Sequence, residues 1–225
     1  MKQYPYRAIL FDLDDTLTAT SAAFQKAYRD FSEQYPDIYL AGNEEEIAAV
    51  RHIVYHIPRH EKEQKDVLYP PFCKKWGIWN APPTEREFEA QWRTRQCENL
   101  ELFPWSVDVL ADLKQKGLRM SLVTNGWSYF QRMKLEKVNI SDYFEEILIA
   151  EEVGIDKPDP AIFRLAADRM GLSVSDCLFV GNDPTKDVAG ALAAGMDCLW
   201  IAKEENTVGA TYTAPDIRYL KKLFS

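Results

Sequence analysis

The residues best suited to chemistry fall in four short clusters. Asp12-Leu13-Asp14-Asp15-Thr16 follows one apolar run and Thr124-Asn125-Gly126 follows another. Lys157 stands within Asp156-Lys157-Pro158-Asp159-Pro160, and Gly181-Asn182-Asp183-Pro184-Thr185-Lys186-Asp187 brings two further acids that bear on the site. Carboxylates can attack an electrophile, pass a proton or ligate a hard cation. Hydroxyls, backbone N–H groups and a lysine can hold and neutralise an anion.

The elements that must position these clusters are legible around them. Tyr6–Leu13, Arg119–Thr124, Glu146–Ala150, Cys177–Gly181 and Asp197–Ala202 are short continuous apolar runs, the pattern of buried parallel strands. Helical spacing lies between them: Val109, Leu110 and Leu113; Phe130, Met133 and Val138; Ile162, Phe163, Ala166 and Met170; and the Ala-rich stretch Lys186–Ala194. Strands alternating with helices predict an α/β fold, a parallel sheet covered on both faces. Ligands of such sheets bind at the carboxyl ends of the strands, where the four clusters fall. From about Thr18 to Leu100 the pattern changes to helices punctuated by prolines, the mark of a helical insertion. The tail after Glu204 is weakly patterned, with Ile217, Leu220 and Leu223 suited to a last short helix.

Taken together, the clusters resemble the phosphatase branch of the haloacid dehalogenase (HAD) superfamily. The resemblance covers residues 1–17 and 101–225; residues 18–100 match only in position and helical character, like the cap that the family inserts between its first and second motifs. It implies a Rossmann-like parallel sheet core with a small all-helical cap domain. It also implies a magnesium-dependent phosphatase that hydrolyses a small phosphorylated metabolite, such as a nucleotide or sugar phosphate, through an aspartyl-phosphate. On that resemblance Asp12 is the nucleophile and a metal ligand. Asp14 is the general acid and then the base, raised in pKa in the substrate complex, with its backbone carbonyl on the metal. Thr124 and the backbone N–H of Asn125 hold phosphoryl oxygens, and Lys157 neutralises charge. Asp183 is the third metal ligand, and Asp187 supports Lys157 from behind. Many relatives carry Gly-Asp where this chain has Gly181-Asn182-Asp183, so Asn182 is the alternative ligand. A phosphomutase of the same superfamily, a dehalogenase and a non-catalytic ligand-binding protein are the other readings; dehalogenases typically lack the second aspartate, here Asp14.

Composition narrows the partners. The chain has 225 residues and a formal charge of -8, which repels nucleic acid backbones and anionic lipid, so neither is an expected partner. No run of about 18 apolar residues is present, and the acidic start does not read as a secretory signal. Four scattered cysteines without a C-x-x-C pattern argue against structural zinc and a disulfide scaffold, and a reducing cytoplasm is the expected compartment. His52, His56 and His60 share a helical spacing, but Pro58 interrupts it and a metal site there is not expected. Asp15 reads as a capping or solvated residue. The insert's aromatic and basic residues, Trp76, Trp79, Trp92, Arg93 and Arg95 among them, read as a small core with solvated faces, with a pocket for a flat or anionic leaving group as the alternative. Trp127 should lie near the mouth of the site or pack in the core. Sequence leaves monomer or homodimer open.

Overall fold

A computed structural model of the protein describes residues 5–34 and 93–225. The expectations for His52, His56, His60, Trp76, Trp79 and Trp92 lie outside those residues. The chain divides into two compact units, Met1–Thr20 with Leu100–Ser225, and Ser21–Asn99.

The first unit is built on six strands: β1 (Ala8–Phe11), β2 (Arg119–Thr124), β3 (Glu146–Ile149), β4 (Cys177–Gly181), β5 (Asp197–Ile201) and β6 (Tyr212–Ala214). They form one sheet in the order β3-β2-β1-β4-β5-β6, and every pairing is parallel. This is the doubly wound, Rossmann-like arrangement, with β1 at the centre beside β2 and β4. β1 is buried along its whole length because both its faces are covered. Ile9 and Phe11 pack with Val109, Leu110 and Leu113 of α2 (Ser106–Gln115) and Leu135 of α3 (Ser128–Val138). Ala8 and Leu10 pack with Ile162, Phe163 and Ala166 of α5 (Pro160–Arg169) and with Ala191 of α6 (Ala189–Ala194). Three further helices are α1 (Thr20–Gln34), the single-turn α4 (Ala150–Val153) and α7 (Tyr219–Leu223).

Local sequence explains the helix ends. Asp159 caps α5 by accepting from the Ala161 N–H at 2.9 Å, and Pro160 takes the first helical position, where its missing N–H is no loss. Two features depart from the sequence reading. The stretch from Lys186 is not one α-helix: Pro184–Val188 form a wide π-type turn before α6 begins. β6 falls in the weakly patterned tail, because a three-residue edge strand carries no apolar run to betray it.

In the second unit, Ala23, Phe24 and Ala27 of α1 are buried, as are Arg93, Gln96 and Cys97. Asn99 Nδ2 donates to Asp30 Oδ2 at 3.1 Å. The two connections leaving the first unit run side by side within it: Ala19 N–H donates to Glu101 C=O (2.9 Å) and Phe103 N–H to Leu17 C=O (3.0 Å). Among the described residues no helix is long and apolar enough to cross a membrane.

α6 can lie against α5 only because residue 190 is glycine. A Cβ there would stand 2.6 Å from the Phe163 ring and 2.9 Å from the Pro158 carbonyl oxygen. Both are fixed, the ring by a T-shaped contact with Phe179 at 4.8 Å. Gly190→Ala is therefore expected to lower unfolding free energy by about 1–3 kcal/mol in urea denaturation, through the clash with Phe163 and the Pro158 carbonyl.

Candidate active site

The carboxyl ends of β1, β2 and β4 meet in one polar cluster. Asp12 continues β1 by one residue, its N–H donating to Val180 C=O at 2.9 Å. Lys157, which precedes α5, sends its Nζ between two carboxylates, 2.6 Å from Asp12 Oδ1 and 2.7 Å from Asp187 Oδ1. All three residues are buried: Asp12 is 6% exposed, Lys157 4% and Asp187 1%. Burial works against the Lys157 charge, but Asp12 and Asp187 outweigh it and raise its pKa above the ordinary lysine value. Burial pushes the Asp12 carboxyl up to about 7; Lys157 works against this, while the Asp187 and Asp14 charges add to it. One ammonium shared between two buried carboxylates leaves the group short of positive charge.

Each partner is held from a neighbouring cluster. Asp187 reaches Lys157 because position 181 is glycine: a Cβ there would lie 2.4 Å from Asp187 Oδ2. That same oxygen accepts the Asp183 N–H at 3.0 Å. Asn125 grips the Lys157 backbone at both ends, donating Nδ2–H to its carbonyl and accepting its N–H, each at 2.8 Å. The Thr124 hydroxyl is buried and accepts from Gln131 Nε2 at 2.9 Å.

Asp14 has its own set of donors. Thr20 Oγ1 (2.6 Å) and Lys134 Nζ (2.7 Å) reach its Oδ1; Lys134 Nζ (2.9 Å) and Gln131 Nε2 (3.1 Å) reach its Oδ2. Burial pushes Asp14 up, but Lys134, with help from Thr20 and Gln131, holds it below the usual carboxylate range.

The fourth cluster separates into two roles. Asp183 Oδ1 accepts the N–H groups of Thr185 (2.8 Å) and Lys186 (2.9 Å), so this carboxylate is committed to capping the π-type turn. Asn182 instead places Oδ1 3.3 Å from Thr16 Oγ1, which lies 3.4 Å from Asp12 Oδ2. Trp200 Nε1 fixes the Asn182 carbonyl at 3.0 Å. The geometry thus favours Asn182 over Asp183 beside Asp12, because a side chain spent on two backbone donors is not free to turn. Among the described residues no three His, Cys, Asp or Glu side chains converge as a metal cage. Asp12 and Asn182 nevertheless offer hard oxygens beside a common neighbour, and three carboxylates face only two ammoniums. That donor set and charge balance fit a hard divalent cation completed by other oxygens.

A family model for haloacid dehalogenase-like hydrolases matches residues 6–195. The chain belongs to that family. It is 39% identical over 122 residues to the phosphoserine phosphatase of Thermus thermophilus, a match covering 54% of this chain and 48% of that one, so it spans about half of that relative. It is 30% identical to the glyceraldehyde 3-phosphate phosphatase of Methanothermobacter thermautotrophicus, over 88% of this chain and 86% of the relative. The HAD-hydrolase YfnB from Bacillus subtilis, crystallised bound to magnesium, shares the fold with a TM-score of 0.78 at 24% identity, over 97% of this chain and 98% of that one.

In this HAD chain the residues singled out from sequence, Asp12, Asp14, Thr124, Asn125, Lys157 and Asp187, gather at one end of the sheet, and Asp183 borders them as a cap. Sequence reading missed Lys134, Gln131 and Thr20. Helical spacing predicts a face of Phe130, Met133 and Val138, whereas α3 buries Phe130, Gln131, Lys134 and Leu135. The signal was a Gln and a Lys three apart on a helix that starts directly after Thr124-Asn125-Gly126. Trp127 stands at the N-cap of α3, where Glu151 Oε2 accepts the Ser128 N–H at 2.7 Å.

Asn125 satisfies two backbone groups of a buried lysine. Asn125→Ala is expected to cost about 1–3 kcal/mol in chemical denaturation, since both groups lose their partner in a part-buried site.

Proposed function

We propose that the protein is a magnesium-dependent phosphatase that hydrolyses a small phosphorylated metabolite through a phosphoryl group carried on Asp12. The observation that carries this reading is the buried Asp12 carboxylate, pinned through Oδ1 by Lys157, with a second aspartate two residues on. Among relatives, the names phosphoserine phosphatase and glyceraldehyde 3-phosphate phosphatase point to small monoesters as the substrate class. In this reading the insert is the family's helical cap.

The reaction runs in two displacements. An Asp12 oxygen attacks phosphorus while the ester oxygen leaves, and Asp14 gives that oxygen its proton. Water then attacks the phosphorus of the acyl phosphate, Asp14 takes the water proton, and the Asp12 carboxylate is released with inorganic phosphate. The Asp14 of the free site is held ionised, so the proton it donates must be drawn onto it as the negatively charged ester binds. Thr124 Oγ1 and the Asn125 N–H hold phosphoryl oxygens. Lys157 keeps the nucleophile oriented and offsets the charge that gathers around it, with Asp187 holding the lysine. Magnesium would be held by Asp12, the Asp14 carbonyl and Asn182 Oδ1, and supplies positive charge that lets a carboxylate approach a phosphate. Asp14 speaks against carbon–halogen cleavage, which has no leaving oxygen to protonate.

Phosphate release from nucleotides, sugar phosphates, phosphoserine and an aryl phosphate tests the reading, with magnesium and with chelator. The expected result is chelator-sensitive release that falls by about 10³-fold or more in Asp12→Asn, with the fold retained by circular dichroism. Undiminished release by Asp12→Asn would falsify the mechanism. Isomerisation of a hexose phosphate without net phosphate release would convert the reading to a mutase.

A further inference from the structure

Lys134 is a buried cation with no part in the two-displacement scheme above. It is 4% exposed and sits on α3, on the same face as Gln131. Its ammonium lies 2.7 and 2.9 Å from the two oxygens of Asp14 and 4.5 Å from the centroid of the Phe130 ring, one turn earlier on the helix. Gln131 Nε2 reaches Asp14 Oδ2 (3.1 Å), Thr124 Oγ1 (2.9 Å) and the Asn125 carbonyl (2.5 Å). Its Oε1 is buried with no donor among the described residues.

A tie between α3 and the loop after β1 could be made by apolar residues without taking two charges out of water. What an ammonium astride both oxygens adds is orientation. A carboxylate has about four lone-pair directions. Two of the four contacts come from Lys134, which sets the plane of the group, while the neutral donors Thr20 and Gln131 fill one direction on each oxygen. A neutral donor is the cheaper one to exchange for a substrate oxygen, because only the Lys134 contacts add the attraction of a full positive charge for the carboxylate. The Phe130 face beneath the ammonium limits where the lysine can go.

We propose that Lys134 is a positioning residue: it holds the Asp14 carboxyl in the plane from which proton transfer to the leaving oxygen occurs. This rests on the phosphatase reading and deepens it. A residue acting in this way matters in proportion to how badly the leaving group needs a proton. Alkoxides need one; a nitrophenolate does not.

The test compares kcat/KM, which covers steps through phosphoryl transfer to Asp12, for phosphoserine, glycerol 2-phosphate and 4-nitrophenyl phosphate. Lys134→Met is expected to lower the value for the two alkyl esters by about 10–100-fold and for the aryl ester by less than about 3-fold. Equal losses on alkyl and aryl esters, or no loss on either, would overturn the assignment of Lys134 and leave the phosphatase reading standing. A wild-type protein inert towards all three and towards the wider panel would sink the phosphatase reading and this inference with it. Lys134→Met strands a buried carboxylate, so the pair Asp14→Asn and Asp14→Asn/Lys134→Met, free of that charge, is measured too. A lysine that acts through Asp14 adds less than about 2-fold to the Asp14→Asn loss, whereas a further 10-fold fall would show that it acts elsewhere.

Discussion

The site depends on one buried cation shared between two carboxylates. Bringing Lys157, Asp12 and Asp187 out of water costs several kcal/mol per ion, and the cost is met only where each polar atom finds a partner. Much of the surrounding sequence serves that requirement. Asn125 ties down the backbone of Lys157, Gly181 leaves room for Asp187, and the Asp183 N–H takes the second oxygen of Asp187. The π-type turn at Pro184–Val188 belongs to the same arrangement. With Asp183 capping its first N–H groups, the wider turn brings Asp187 inward beside the strand that Gly181 ends.

Such a cluster can form here because of the sheet. A parallel sheet buried on both faces offers side chains no polar environment along its strands, and the first places where polar groups can gather are the strand ends. With β1 between β2 and β4, residues far apart in the chain arrive together: Asp12 and Lys157 are separated by 145 positions, Lys157 and Asp187 by 30. The two apolar layers on either side hold the strand ends in register, Phe11 in one and Phe179 in the other. Lys157 itself lies over the Phe179 ring at 5.4 Å, so the polar cluster rests directly on the core.

What could be read from sequence followed the physics that writes itself into patterns. Continuous apolar runs identify strands buried on both faces, and the clusters after them mark the ends where ligands bind. Residues that act through three-dimensional pairing left weaker traces. Lys134 looks like an ordinary exposed helix lysine until the Asp14 carboxylate is placed beside it, because helical periodicity records hydrophobicity and not the identity of a buried ion pair. Asn182 and Asp183 are adjacent in sequence, and only the turn geometry decides which one caps and which one faces Thr16. β6 is too short and too polar for periodicity to register.

The four clusters are not four independent devices. Gln131 joins Asp14 to Thr124 and Asn125, Asn125 joins the second cluster to Lys157, Lys157 joins Asp12 to Asp187, and Thr16 joins Asp12 to Asn182. The contacts close into a ring in which every cluster is oriented by at least two others. In a ring of this kind, removing one member changes the geometry of its neighbours as well as its own contribution, so effects of substitutions around it do not add. The order of the motifs along the chain then has a physical basis. Each lies after a strand or before a helix that the core holds rigidly, and the short polar links between them need to span only the last few ångströms. The rigid elements supply the approach and the hydrogen bonds set the final angle, which is why a modest number of polar residues on a large apolar scaffold can hold two aspartates, two residues apart, in different surroundings.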